Sequence, residues 1–257
     1  MLAEGDSWFS LGSFPGHNIL KELKFARDTR IVSLAEPGDK ICHMATREDN
    51  PGLEYYLCKK QFCSHFDLIL LSGGGNDLID EAKSIITFEN LTDENKEKPE
   101  SYINQDRLTC VLGAISDAYV QIANMRDDES SLSKGVPIVT HTYAYPTPRK
   151  SPALIAGTNI WAIGPWLFPI FDGAALSDEL KLGITDIMFN QLAGTILSLN
   201  NKIANFHAID TRQLLDRAES DARRTNHDWE NEIHPTRNGY EKIAELLSEE
   251  ICKILNH

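Results

Sequence analysis

Asp67-Leu68-Ile69-Leu70-Leu71-Ser72-Gly73-Gly74-Gly75-Asn76-Asp77 decides how the rest of the chain is read. Leu68 to Leu71 are apolar at every position, without the alternation of a half-exposed strand. Such a run buries both its faces, as a central strand does in a parallel sheet covered by helices on both sides. The glycines then end the strand and let the backbone turn sharply. In open parallel sheets ligands sit beyond the carboxyl ends of the strands. Asn76 and Asp77 therefore stand where a site is expected.

Other segments repeat the pattern on either side. Leu2-Ala3-Glu4 runs into Gly5-Asp6-Ser7, a tight turn that presents a serine hydroxyl. Ile31 to Ala35 ends at the breaker Glu36-Pro37-Gly38-Asp39. Val136 to Thr142 and Phe206 to Asp210 are two more strand candidates. Between them lie helical patterns: Leu53 to Phe66; Leu108, Val111, Leu112, Ile115, Tyr119 and Ile122; Ile184 to Ile203; and Ile243 to Leu255. Five strands with interleaved helices predict a single α/β domain over 1–257, built on one five-stranded parallel sheet with helices on both faces. Ser84 to Gln105 is polar and reads as an exposed loop or lid-like insertion. Tyr143 to Asp172, rich in Pro, Gly and aromatics, reads as a long ordered loop of the kind that often serves function.

Composition narrows the function. Lys plus Arg is 25 against 38 Asp plus Glu, a formal net charge of −13. An acidic surface disfavours nucleic acid and anionic membranes as partners. No apolar run reads as a bilayer span, and no signal peptide precedes Gly5. The lead-in from Met1 to Glu4 is short for a central strand, which leaves a trimmed start open. The five cysteines, Cys42, Cys58, Cys63, Cys110 and Cys252, are odd in number and form no C-x-x-C pair. That spacing argues against zinc and for reduced thiols, hence a cytoplasmic location.

The strand ends carry the chemistry. Parallel strands bring the loops holding Ser7, Gly38 and Asn76 to one rim. Near the carboxyl end lies Asn231-Glu232-Ile233-His234-Pro235-Thr236. A serine hydroxyl needs an adjacent base to attack at neutral pH, and His234 can take its proton. An attacked carbonyl becomes an oxyanion that needs fixed donors. The N–H groups of Ser7 and Gly38 and the Asn76 amide are candidates. Glycine at 38 also lets the backbone approach closely.

Gly5-Asp6-Ser7, Gly38, Gly74-Gly75-Asn76-Asp77 and His234-Pro235 resemble the four signature blocks of the SGNH, or GDSL-type, hydrolases, in the family's order and over nearly the whole chain. The resemblance implies a flavodoxin-like three-layer α/β/α sandwich of strand order 2-1-3-4-5. It also implies hydrolysis of a small or medium acyl ester through an acyl-enzyme, without a cofactor or metal. Ser7 would be nucleophile and oxyanion donor, Gly38 and Asn76 further donors, and His234 the base. The lipase motif G-x-S-x-G is absent.

The sequence departs from the family where an aspartate usually stands three residues before the histidine: here it is Asn231. An aspartate both orients the imidazole and stabilises the imidazolium, whereas an asparagine carbonyl does only the first. Asn231 is one orienting group; Glu232 and Asp228 are the alternatives. His141 ends a strand at the same rim and reads as a substrate contact or a structural histidine. Trp161 and Trp166 are candidates for a pocket wall or for core. Asp77 reads as structural. Two other functional classes stay open. One is a metal-dependent phosphoesterase using Asp6, Asn76, Asp77 and His234. The other is a non-catalytic binding module on the same scaffold. The acyl and alcohol groups and the oligomeric state are not written in the sequence.

Overall fold

A computed structural model describes residues 1–10, 16–46, 48, 50–59, 64–154 and 162–256. Cys63, Trp161 and His257 lie outside the described residues. In chain order the elements are β1 (Leu2–Gly5), α1 (Ser7–Ser10), α2 (Ile19–Glu22), β2 (Val32–Ser33), α3 (Ile41–Met44), α4 (Pro51–Cys58), β3 (Ile69–Ser72), α5 (Gly75–Asp80) and α6 (Ala82–Ile85). There follow α7 (Gln105–Arg126), β4 (Ile138–His141), β5 (Ala153–Leu154), β6 (Ala162–Ile163), α8 (Phe168–Phe171), α9 (Asp178–Ser198), β7 (Phe206–Ile209) and α10 (Arg237–Ile254).

The main sheet has the order β2-β1-β3-β4-β7 and is parallel throughout. This is the expected 2-1-3-4-5 sandwich, since β5 and β6 form a separate antiparallel pair within the 143–172 loop. Helices α3 to α7 and α9 pack together on one face, and α1, α2 and α10 on the other. Every residue of β1, β3 and β4 is buried, which explains the uninterrupted apolar reading at 68–71. Glu4 is the exception in kind. It is fully buried in β1, accepts the Asn50 side-chain amide at 3.0 Å, and burial pushes its carboxyl up to about 7.

The sequence boundaries shift for physical reasons. The edge strand β2 is assigned only two residues, yet its backbone bonds continue through Leu34 N–H to Ala3 O at 2.8 Å and Glu36 N–H to Gly5 O at 2.9 Å. The helix expected over Leu53–Phe66 ends at Cys58. Further on, the Phe66 N–H is held by Ser133 Oγ at 3.1 Å, a loop bond in place of a helical one. By length and composition alone the Asp178–Asn201 segment would pass as a bilayer-crossing helix. Here it is a core helix that buries Leu180, Ile184, Met188, Phe189, Leu192 and Ile196.

The 84–105 segment is closed at its neck by Thr87 N–H to Tyr102 O at 2.9 Å and Asn104 N–H to Ile85 O at 2.7 Å. Its Pro99 packs on Gly183 of α9, where a Cβ would come within 2.6 Å.

Register places the first turn. Gly5 pairs with Ser72, so the Asp6-Ser7 turn rises beside the glycines that follow β3. A Cβ on Gly5 would stand 2.8 Å from Ser72 Cβ, so the two strands approach only because position 5 has no side chain. Gly5→Ala is expected to destabilise the fold by about 1–3 kcal/mol through this overpacking, read as a lower denaturant midpoint with unchanged slope.

Candidate active site

Ser7 opens α1 directly after β1, and His234 lies just before α10. Their side chains meet: Ser7 Oγ is 2.8 Å from His234 Nε2. The other ring nitrogen, Nδ1, is 3.0 Å from Asn231 Oδ1. The same Oδ1 accepts the backbone N–H of Ile233 at 3.1 Å and of His234 at 3.0 Å. Those two donors identify the atom as the amide oxygen, because an NH₂ there would face two N–H groups. Asn231 Oδ1 therefore accepts from Nδ1–H. That leaves Nε2 unprotonated and able to accept the Ser7 hydroxyl proton. Burial holds the His234 imidazole down at about 4, with no carboxylate on the ring to oppose it.

The two alternative partners of His234 are engaged elsewhere. Glu232 is fully buried and accepts the backbone N–H groups of Leu167 at 2.9 Å, Phe168 at 2.7 Å, Arg149 at 3.1 Å, and also Trp166. It ties the 143–172 loop to the histidine segment. One result is that Trp166 sits edge-on to His234, with ring centroids 5.5 Å apart. Asp228 accepts the Asp216 N–H at 2.7 Å and the Asn238 amide at 2.8 Å, and it pairs with Lys242 at 2.5 Å. Neither carboxylate reaches the ring, so both readings are corrected.

The candidate oxyanion donors come from three rim loops. Glu36 is bonded to Gly5, which brings the 36–39 turn beside the Ser7 turn. Gly38 has φ +80°, a left-handed conformation that favours glycine, and it is exposed at the rim. Asn76 Nδ2 donates to Asp39 O at 2.9 Å, joining the second and third loops. Asp77 holds the same turn from below, accepting the N–H of Ile41 at 2.9 Å and of Cys42 at 3.2 Å. Among the described residues, the amides of Ser7 and Gly38 donate no hydrogen bond. Both remain available to a developing negative charge.

A small, partly open space of about 20 Å³ adjoins Ser7 and Asn76 and is lined further by Ile79, Tyr143, Pro146, Phe189 and Trp229. That is room for a single water-sized group. His141, expected to face the substrate, is fully buried instead. It stacks on Trp8 at 5.6 Å and 12°, and bonds to Ser72 Oγ and Thr142 O. Trp161 lies outside the described residues. Asp6, Asn76, Asp77 and His234 do not form the ligand set of the phosphoesterase reading. Asp6 is held by Trp8, Ser72 and Tyr143, and Asp77 by two backbone amides.

Sequence reading missed Trp8, Tyr143 and Trp229. The indole N–H of Trp8 donates to Ile233 O at 3.1 Å and so links the turn of Ser7 to the segment of His234. An apolar aromatic next to the serine was the available signal. No spacing in the sequence marked Tyr143 or Trp229.

No protein-family model and no curated protein matches the chain. Solved structures do. An aryl esterase of M. smegmatis superposes with TM-score 0.51 and 14% identity over 98% of each chain. A carbohydrate acetylesterase family member from Sinorhizobium meliloti gives 0.51 and 11% over 100% of this chain and 98% of its own. A family 3 carbohydrate esterase of Clostridium thermocellum gives 0.50 and 13%, over 99% and 96%. The shared feature is the fold, a three-layer α/β/α sandwich on a five-stranded parallel sheet.

An aspartate at 231 would place a charge on Nδ1–H without changing the tautomer. Asn231→Asp is expected to raise the His234 pKa by about 1–3 units, because the charged ring gains an opposite charge within hydrogen-bond distance. For the native chain, Ser7 reactivity toward a fluorophosphonate should not fall between neutral pH and about pH 5, and should fall as His234 protonates near 4. In the variant the fall should begin at higher pH. The pH dependence of the labelling rate checks both expectations.

Proposed function

We propose that this chain, with the SGNH-hydrolase fold, is a serine esterase for short acyl esters, acetyl esters foremost. The observation that carries the reading is the chain Ser7 Oγ, His234 Nε2, His234 Nδ1, Asn231 Oδ1, with links of 2.8 and 3.0 Å and a fixed tautomer. Ser7 attacks the ester carbonyl and its proton passes to Nε2. The N–H groups of Ser7 and Gly38 and the free N–H of the Asn76 amide bind the oxyanion. His234 then returns its proton to the leaving alcohol, which departs and leaves the acyl group on Ser7. Water, deprotonated by the same nitrogen, releases the acid.

The acyl preference rests on the space of about 20 Å³ beside Ser7, which matches a methyl group. Its walls, Ile79, Tyr143, Phe189 and Trp229, belong to the buried core, and enlarging the space means disturbing packed aromatics. That two of the structural neighbours are by name carbohydrate esterases agrees with this preference. With Cys42, Cys110 and Cys252 present as thiols, a cytoplasmic site of action is part of the same reading.

p-Nitrophenyl acetate and octanoate test the proposal together. Acetate should be turned over at least about tenfold faster in kcat/KM, the scale on which an apolar pocket discriminates added methylenes. Ser7→Ala should remove turnover, and mass spectrometry should find the fluorophosphonate on Ser7. Absence of both turnover and labelling would leave a binding module. Equal rates on the two esters would refute the methyl-sized pocket while keeping the nucleophile. Exchanging the 143–172 loop, which supplies Tyr143, Ala144 and Pro146 to the pocket, should change the chain-length profile. Exchanging 84–105, none of whose residues lines the pocket, should leave the profile intact.

A further inference from the structure

Asp6 stands directly before Ser7 and is nearly sealed from solvent, with 2% of its surface exposed. Its Oδ1 accepts the Trp8 N–H at 2.9 Å and lies 2.9 Å from Ser72 Oγ. Its Oδ2 lies 2.5 Å from the Tyr143 hydroxyl. Ser72 Oγ is also 3.0 Å from His141 Nε2, and His141 Nδ1 is 2.8 Å from Thr142 O. A backbone carbonyl only accepts, so His141 Nδ1 carries a proton in every state. Ser72, His141 and Tyr143 are all buried with Asp6.

The protons can be counted. Three contacts, Tyr143 to Asp6, Asp6 to Ser72 and Ser72 to His141, need one proton each. The hydroxyls of Tyr143 and Ser72 bring two. With an ionised Asp6 and a neutral His141, one contact would set acceptor against acceptor away from water. An unsatisfied buried polar group forfeits its hydration without a partner to replace it, which opposes that arrangement. One further proton satisfies all three of these contacts. None of the ion pairs among the described residues includes Asp6, so its carboxylate would also be a buried charge without a cation.

We propose that the Asp6–Ser72–His141 chain retains one proton, held as a neutral Asp6 carboxyl, and that Asp6 and His141 are positioning residues that keep the floor beneath Ser7 uncharged. The Asp6 carboxyl donates to Ser72 Oγ, Ser72 donates to His141 Nε2, and His141 Nδ1–H donates to Thr142 O. Tyr143 donates to the second carboxyl oxygen. Burial pushes Asp6 up to about 6 and His141 down to about 4, so the carboxyl outcompetes the imidazole for the proton. The other titratable groups facing this chain agree in sign. Asp77 opposes ionisation of Asp6, and a charged Asp6 in turn holds Tyr119 of α7 and Tyr240 of α10 in their neutral forms. A carboxylate here would repel the oxyanion that forms on the adjacent residue, and the retained proton removes that repulsion.

Two measurements test the proposal. NMR of the intact chain labelled with ¹³C at aspartate carboxyls and ¹⁵N in histidine rings should find, at about pH 5, between the values of the two groups, Asp6 with the carbon shift of a protonated acid. It should find His141 as the neutral Nδ1–H tautomer. An ionised Asp6, or a His141 protonated on both nitrogens, would overturn the proposal. This arm uses the resting protein, so it stands or fails apart from the reading of Ser7 as a nucleophile. The second arm rests on that reading. In His141→Phe, which can keep the stack on Trp8, Ser72 is free to donate to Asp6 and the extra proton is no longer needed. Asp6 should then ionise already at about pH 5, so fluorophosphonate labelling of Ser7 there should slow about tenfold, the rate equivalent of about 1.4 kcal/mol, and should match the native rate at about pH 8, where Asp6 is ionised in both proteins. Slowing of equal size at every pH would mean that His141 serves packing alone.

Discussion

One side-chain oxygen sets the geometry on which the candidate site depends. Asn231 Oδ1 gathers the N–H of Ile233, the N–H of His234 and the Nδ1–H of the same histidine. The two backbone donors are local and hold in any state of the ring, so the amide cannot turn over to offer its NH₂ group. The tautomer of His234 is thereby fixed by the backbone turn itself. A carboxylate would accept the same three donors and would add charge. The asparagine keeps the directional half of that function and gives up the electrostatic half. The half-buried ring, held down at about 4, shows the consequence.

The segment bearing this turn is itself held from several sides. Arg149 is fully buried and donates to Asn231 O at 2.7 Å. Glu232 gathers four backbone amides from the 143–172 loop. Trp8 reaches across from the serine turn to Ile233 O. The serine and the histidine are 227 residues apart in sequence, yet each is flanked by a residue that bonds the other's surroundings. Short strands alone would leave the 2.8 Å contact dependent on loop position. These buried bonds give it rigid support.

Much of this was legible in the sequence because parallel sheets constrain it strongly. The apolar run at 68–71, the glycines after it and the Gly-Asp-Ser turn place Ser7, Gly38 and Asn76 on one rim without knowledge of any contact. The orienting group of His234 was not legible. Asn231, Glu232 and Asp228 lie within four residues, and only the direction of each side chain separates them. Glu232 looked eligible by proximity, but four backbone donors from a loop more than sixty residues away in sequence claim its carboxylate. The burial of His141 was hidden for a related reason. A residue ending a strand can point to the rim or into a layer, and the stack on Trp8 decides it. The helix over 178–198 shows the converse limit, since apolar composition fits a bilayer and a protein core equally well.

The same logic of charge connects the substituted asparagine and the buried aspartate. An oxyanion beside Ser7 is stabilised by donors and destabilised by nearby carboxylates. An esterase triad with an aspartate accepts one such charge because it lies behind the imidazolium and stabilises it. In this chain that position is neutral. The carboxyl directly before Ser7 is sealed among Ser72, Tyr143 and the Trp8 amide without a cation, where ionisation is opposed by burial. Glu4, two residues earlier in the same strand, is pushed up to about 7 by the same cause. The rim therefore presents open amide donors above a floor whose two buried carboxyls both resist charge. In the proposed reaction, stabilisation of the transition state would then fall on the donors of Ser7, Gly38 and Asn76. The backbone angle at Gly38 and the Asn76 bond to Asp39 are the features that hold those donors in place.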